Sequence, residues 1–122
     1  MNNQIEIIQP DDWHVHFREG QMLEMVTNSS SRINNRCVAM PNTKIPITDT
    51  ASAISYKEQL KKASKINFEP LIPCYLNENL NLDDFRMGLQ QKIFFGSKLY
   101  PTNATTNSKY GVKDISKIFK LL

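Results

Sequence analysis

Two histidines, the whole complement of the chain, stand two residues apart in the stretch Asp11-Asp12-Trp13-His14-Val15-His16-Phe17-Arg18-Glu19-Gly20. Side chains alternate faces along an extended strand, so His14, His16 and Arg18 fall on one side and Trp13, Val15 and Phe17 on the other. Alternate residues of a strand lie about 6.6 Å apart, close enough for two imidazoles to reach one metal ion. The stretch reads as a strand with two nitrogen ligands and a cation on one face, an apolar face to hold it, and Gly20 to end it. A buried histidine is more often a packed residue with a satisfied ring. The pairing, with an arginine on the same face, favours metal or catalytic work here.

The elements that would position this strand recur along the chain. Met22, Leu23 and Val26 suggest a short helix that should end in the polar Asn28 to Ser31 stretch. Arg36 to Met40 is an apolar run closed by Pro41-Asn42-Thr43, and continuous apolarity suits a strand covered on both faces. Pro46 and Thr48-Asp49-Thr50 lead into the clearest helix, with Ala53, Tyr56, Leu60 and Ala63 on one stripe and Lys57, Glu58, Lys61 and Lys62 off it. A third run, Phe68 to Leu76, contains Pro70 and Pro73, which disfavour a regular ladder. Asn81 or Asp83 could cap the next helix, with Phe85 and Leu89 inward. The fourth run, Lys92 to Tyr100, stops at Pro101, and a polar loop from Thr102 to Gly111 precedes a last amphipathic pattern through Val112, Ile115, Ile118, Phe119 and Leu122.

Strand then helix, about four times over at a spacing of about 25 to 30 residues, predicts an α/β fold with a parallel sheet and right-handed crossovers. Chemistry in such folds gathers at the C-terminal ends of strands, where His14, His16, Arg18, Asn42, Lys98 and Tyr100 would all lie. A glycine-rich phosphate loop is missing after the first strand, and the chain holds only four glycines, so a barrel is favoured over an open nucleotide-binding sheet.

Composition narrows the partners. At 122 residues the chain has the size of one domain, and 40% hydrophobic with 22% charged residues marks it as globular. The net charge of +3 is scattered in short clusters such as Lys61-Lys62, which does not point to nucleic acid. Cys37 and Cys74 sit in apolar runs and read as buried free thiols of a reducing compartment. No run approaches the ~20 apolar residues of a membrane span, and residues 1–4 lack the pattern of a signal peptide, so a cytoplasmic soluble protein is expected.

Three blocks together carry a resemblance: DDWHVHFREG at residues 11–20, MPNT at 40–43 and KLYPTNATTNS at 98–108. In this order and at these spacings, from about Ile7 to Leu122, the chain resembles dihydroorotase of the single-function bacterial type, within the amidohydrolase superfamily. The resemblance implies the N-terminal half, about four βα units, of a (β/α)₈ barrel in a binuclear zinc enzyme. Such enzymes interconvert L-dihydroorotate and N-carbamoyl-L-aspartate in pyrimidine synthesis. Carried over by position, His14 and His16 would bind the more buried zinc, and Lys98, carboxylated by CO₂, would bridge both metals. Arg18 and Asn42 would hold the substrate carboxylate, with His16, Thr105 and Thr106 also touching substrate. The loop from Thr102 to Gly111 would close over the site, and the complete enzyme would be a homodimer.

The chemistry fits those residue types. Neutral imidazoles suit zinc, an arginine offers a planar fork to a carboxylate, and a lysine can add CO₂ once it has lost its proton. Each residue has a plainer alternative: Lys98 as a surface lysine, Asn42 as a turn residue, Thr105 and Thr106 as ordinary loop positions, and Tyr100 as packing. The family's remaining ligands, two histidines and an aspartate that is also the general base, have no counterparts after His16. The expectation is therefore a portion, residues 1–122, of one longer barrel domain, inactive by itself. Competing readings are another cyclic amidohydrolase of the hydantoinase or allantoinase type, a non-catalytic fragment acting as an interaction module, and a plain βα repeat without metal.

Overall fold

Parallel pairing sets the frame. The computed structural model describes residues 3–122. Its elements run β1 (Asp12–Val15), α1 (Gln21–Ser31), β2 (Arg36–Ala39), α2 (Thr50–Ala63), β3 (Glu69–Leu71), β4 (Pro73–Tyr75), α3 (Leu82–Gln90) and β5 (Gly96–Lys98), and end in a 3₁₀ helix over Ile115–Leu121. β1 pairs with β2, β2 with β3 and β4 with β5, each in parallel, so the chain is α/β with parallel sheets.

The run expected as one third strand is broken at Ile72. Its first half, β3, extends the β1-β2 sheet, and its second half, β4, pairs with β5. The break lies between Pro70 and Pro73, neither of which can donate to a ladder. Ile72 itself turns to the next strand, its carbonyl accepting from Phe95 N at 2.9 Å. The two sheets thus share one interrupted strand, and the C-terminal ends of β1, β2, β4 and β5 face the same way.

Helix α1 runs through the polar stretch where its end was expected. Asn28 explains this, because Nδ2 donates to Glu24 O at 2.9 Å and Ala63 O at 3.0 Å, while Oδ1 accepts from Lys65 N at 3.0 Å. Ser31 adds a hydroxyl bond to Ser64 at 2.9 Å. Residues of weak helix propensity stay helical because their side chains bond the end of α2. The inward face of α1 is Leu23, Thr27 and Ser31, while Met22, expected inside, is exposed.

Helix α2 follows its sequence stripe, with Ala53, Tyr56 and Leu60 buried and Asp49 accepting from Ser52 N at 2.7 Å as the N-cap. Asn81 caps α3, its side chain accepting from Asp83 N and Asp84 N. Phe85 is buried as expected, but Leu89 is exposed and Gly88 takes the inward position. The final pattern forms a 3₁₀ helix in which Ile118 is buried and Ile115 and Phe119 are exposed. Cys37 and Cys74 are free and buried, and burial pushes their thiols up to about 11 and about 12, so both are inert at neutral pH. Among the described residues, no helix is long and apolar enough to cross a membrane.

A Cβ at Gly88 would lie 2.4 Å from Phe94 Cδ2 and 2.8 Å from Thr50 Cγ2. Alanine gains about 1 kcal/mol of helix propensity over glycine, but overpacking against a buried ring costs about 1–3 kcal/mol. Gly88→Ala is expected to lower the urea midpoint. A raised midpoint would show that Phe94 has room to move.

Candidate active site

The two histidines converge at the end of β1. Val15 and Phe17 are buried and anchor the strand, and Met40 N donates to Val15 O at 2.8 Å, joining it to the end of β2. His14 Nε2 and His16 Nε2 lie 3.1 Å apart, with ring centroids at 5.1 Å. Two imidazole nitrogens at that distance either share a proton or aim their lone pairs at a common cation. Zinc–nitrogen bonds of about 2.0–2.1 Å in a tetrahedral site put two ligand nitrogens about 3.3 Å apart, so the pair matches two corners of such a site. Burial first, then the charges of Arg18 and His14, hold His16 below the usual histidine range, opposed by the Asn42 side chain and helped least by the charge of Lys98. The neutral ring, the form that ligates, is thereby favoured.

The fit is partial. Among the described residues, no group of three or more His, Cys, Asp or Glu could hold a metal ion, leaving two imidazoles and the Lys98 amine as nitrogen donors. His16 Nδ1 is buried without a hydrogen-bond partner, where a ligating imidazole normally donates to an oxygen.

Arg18 does not arrive by strand alternation, because β1 stops at Val15. Its backbone is left-handed, with φ 60°, a conformation that costs a non-glycine residue about 1–3 kcal/mol. The Tyr56 hydroxyl, reaching from α2, donates to Arg18 O at 2.9 Å. Burial, ahead of the nearby Glu19 carboxylate, pushes the Tyr56 pKa upward, so the hydroxyl stays protonated and donating. Lys44 N donates to Glu19 Oε1 at 2.9 Å, and Arg18 Nη1 donates to Asn42 O at 3.3 Å, binding this turn to the segment after β2.

Asn42 is the centre of the rim. It is 1% exposed, and its amide is bonded at both ends. Nδ2 donates to Thr106 O at 2.8 Å, and Oδ1 accepts from the Tyr100 hydroxyl at 3.1 Å. Its main-chain oxygen accepts from Asn107 Nδ2 at 3.0 Å as well as from Arg18. Tyr100 stacks on Tyr75 with centroids 5.0 Å apart, and Tyr75 donates to Asn107 O at 3.4 Å. Lys98, at the end of β5, has Nζ 5.9 Å from the centre of the Tyr100 ring. Thr105 and Thr106 are exposed, and the loop they belong to is pinned by Ser108, whose hydroxyl accepts from Thr105 N at 2.9 Å and donates to Thr105 O at 2.6 Å. Gly111 lets the loop return beside β5, since a Cβ there would sit 2.2 Å from Tyr100 O.

His14, His16, Arg18, Asn42 and Lys98 are thus brought to one rim, with Thr105 and Thr106 on a loop fastened to it. Sequence reasoning missed the bonds of Tyr56 and Ser108 and, although it placed Tyr100 at a strand end, favoured packing over chemistry for it. Tyr56 sits on the buried stripe of α2, where its spacing is indistinguishable from that of a core residue. The motif block 98–108 did contain Tyr100 and Ser108.

No family model matches the chain. It is 44% identical over 119 residues to the dihydroorotase of Yersinia pseudotuberculosis and 43% identical over 119 residues to that of Buchnera aphidicola, in each case covering 96% of this chain and 34% of the relative. Among solved structures, it superimposes on a dihydroorotase of Saccharomyces cerevisiae in complex with 5-fluoroorotic acid with a TM-score of 0.84, at 36% identity, over 92% of this chain and 31% of that one. A Campylobacter jejuni dihydroorotase gives 0.83 at 34% identity, over 93% and 34%. The chain is therefore similar to dihydroorotases over nearly its whole length and spans about a third of theirs.

Asn42→Ala removes the acceptor of a buried tyrosine hydroxyl and the donor that holds Thr106 O. A loss of about 1–3 kcal/mol in urea denaturation is expected, with faster amide exchange through residues 102–111. Unchanged exchange there would mean that the loop is held by other contacts.

Proposed function

We propose that this chain supplies the first βα units, about four, of a (β/α)₈ dihydroorotase that interconverts L-dihydroorotate and N-carbamoyl-L-aspartate. One observation carries the reading: the His14 and His16 Nε2 atoms meet at 3.1 Å on a rim that also holds Arg18, Asn42 and Lys98. The relatives that match it at 43–44% identity over 96% of its length are dihydroorotases.

In this proposal His14 and His16 would hold zinc, and Lys98, once carboxylated, would add a carbamate oxygen ligand to the metal centre. When bound, zinc polarises the amide carbonyl and lowers the pKa of a water molecule. The work of the chain's own residues is positional. Arg18 presents a planar guanidinium to the substrate carboxylate, and Asn42 adds a neutral donor beside it. Asn42 Nδ2 carries two N–H groups, so it can keep Thr106 O while donating the second to a substrate oxygen. The Thr102–Gly111 loop, with Thr105 and Thr106, is thereby coupled to occupancy, and His16 stands next to the same substrate. Lys98 gives up one proton before its nitrogen can attack CO₂, because only the neutral amine carries the lone pair that forms the new N–C bond, and a second proton leaves the nitrogen to give the carbamate anion.

The remaining metal ligands and the general base are proposed to come from the part of the enzyme beyond the third that this chain spans. A homodimer is the assembly that the resemblance implies, and a cytoplasmic setting is the one expected from the sequence. The short donor set among the described residues favours a second reading, a non-catalytic interaction module. Assaying dihydroorotate beside hydantoin, with zinc analysis, in the complete protein that carries this chain separates the readings. Turnover of dihydroorotate with bound zinc supports the enzyme, preference for hydantoin points to another cyclic amidase, and neither activity nor zinc supports the module.

Two substitutions test the roles. Lys98→Ala should abolish turnover and lower bound zinc, and retained activity and metal would overturn its assignment. Arg18→Lys should raise KM about 10- to 100-fold, the loss expected for a charge-assisted bond. An unchanged KM would remove Arg18 from substrate binding.

A further inference from the structure

The unusual backbone at Arg18 points to a residue outside the motif blocks. Among the described residues, Arg18 is one of four non-glycine residues with positive φ, together with Lys92, Asn103 and Asn107. Asn103 and Asn107 are of a type that tolerates this region and lie in a turn-rich loop, and Lys92 follows the end of α3. Arg18 has neither excuse. It comes directly after the buried Phe17 at the site itself, two residues before Gly20, which has φ 63°. A left-handed residue between two anchored points persists only where its surroundings over-determine it.

Those surroundings include one side chain from a distant element. Tyr56 lies 38 positions away in α2, is 5% exposed, and places its hydroxyl 2.9 Å from Arg18 O. With the carbonyl held, the Arg18 side chain projects back across the rim to Asn42 O at 3.3 Å. We infer that Tyr56 is a positioning residue: its hydroxyl fixes the Arg18 carbonyl, and so the left-handed turn, from which the guanidinium is presented beside Asn42. This rests on the proposed role of Arg18 as the carboxylate ligand. Helix α2 thus carries a determinant of substrate binding on a face that otherwise serves the core.

The substitution Tyr56→Phe removes one hydroxyl and keeps the ring in place. Two measurements in the complete protein read it. A crystal structure should show Arg18 out of the left-handed region or its guanidinium off Asn42 O; an unchanged Arg18 would overturn the inference. Kinetics with dihydroorotate should show KM raised roughly five- to tenfold, the worth of a single hydrogen bond, with kcat nearly unchanged. In an Arg18→Ala background, adding Tyr56→Phe should leave KM where Arg18→Ala alone puts it. A fall in kcat with KM unchanged, or a KM effect that persists without the Arg18 side chain, would make Tyr56 a structural residue only. If the unsubstituted protein does not turn over dihydroorotate, the proposed function falls, while the crystallographic comparison still decides whether Tyr56 positions Arg18.

Discussion

A single buried amide ties the rim together. Asn42 follows β2, and through its side chain and main-chain oxygen it bonds the turn after β1, the tyrosine after β5 and the loop beyond that tyrosine. A buried amide of this kind has little freedom to leave a bond unmade, because each orphaned group would keep its desolvation penalty. The geometry of three strand ends is therefore mutually dependent. A shift of the loop at Thr106 is felt at Asn42, and a shift of Asn42 is felt at Arg18.

The sheet makes that coupling possible. Parallel strands bring their C-terminal ends to one edge, and the interruption at Ile72 lets one segment serve two neighbours, β2 through β3 and β5 through β4. The stacked tyrosines, Tyr75 at the end of β4 and Tyr100 just past β5, then form a floor with hydroxyls aimed at Asn107 and Asn42. Apolar surface and hydrogen bonding are combined in the same side chains, which is why a purely hydrophobic account of Tyr100 falls short. On the opposite side of Arg18, Tyr56 does the same from a helix.

Exposure also follows from the architecture. Trp13, on the face of β1 read as apolar packing, is 56% exposed and rests against Phe95 with ring centroids 5.6 Å apart and the Arg36 guanidinium 5.7 Å away. Val15 and Phe17, expected on the same face, are buried in the core cluster. The strand pattern was thus right that Val15 and Phe17 are buried, but the register shift between Asp12 and Val15 and the end of β1 at Val15 break the alternation expected through Trp13 and Arg18.

Periodicity and motif spacing by themselves determined the βα alternation, the parallel sheet, the stripe of α2 and a cap for α3 at Asn81 or Asp83, of which the structure uses Asn81. These are local properties: strand pleat, helical repeat and capping chemistry act over a few residues and leave a mark in the order of the chain. Tertiary structure alone decided that Arg18 arrives through a left-handed turn, that Asn28 extends α1 by bonding the end of α2, that the third run divides at Ile72, and that the Tyr56 and Tyr100 hydroxyls meet Arg18 O and Asn42 Oδ1. Each of these depends on a partner tens of residues away, whose position is set by packing. A tyrosine at a core spacing reads the same whether its hydroxyl meets water or an arginine carbonyl.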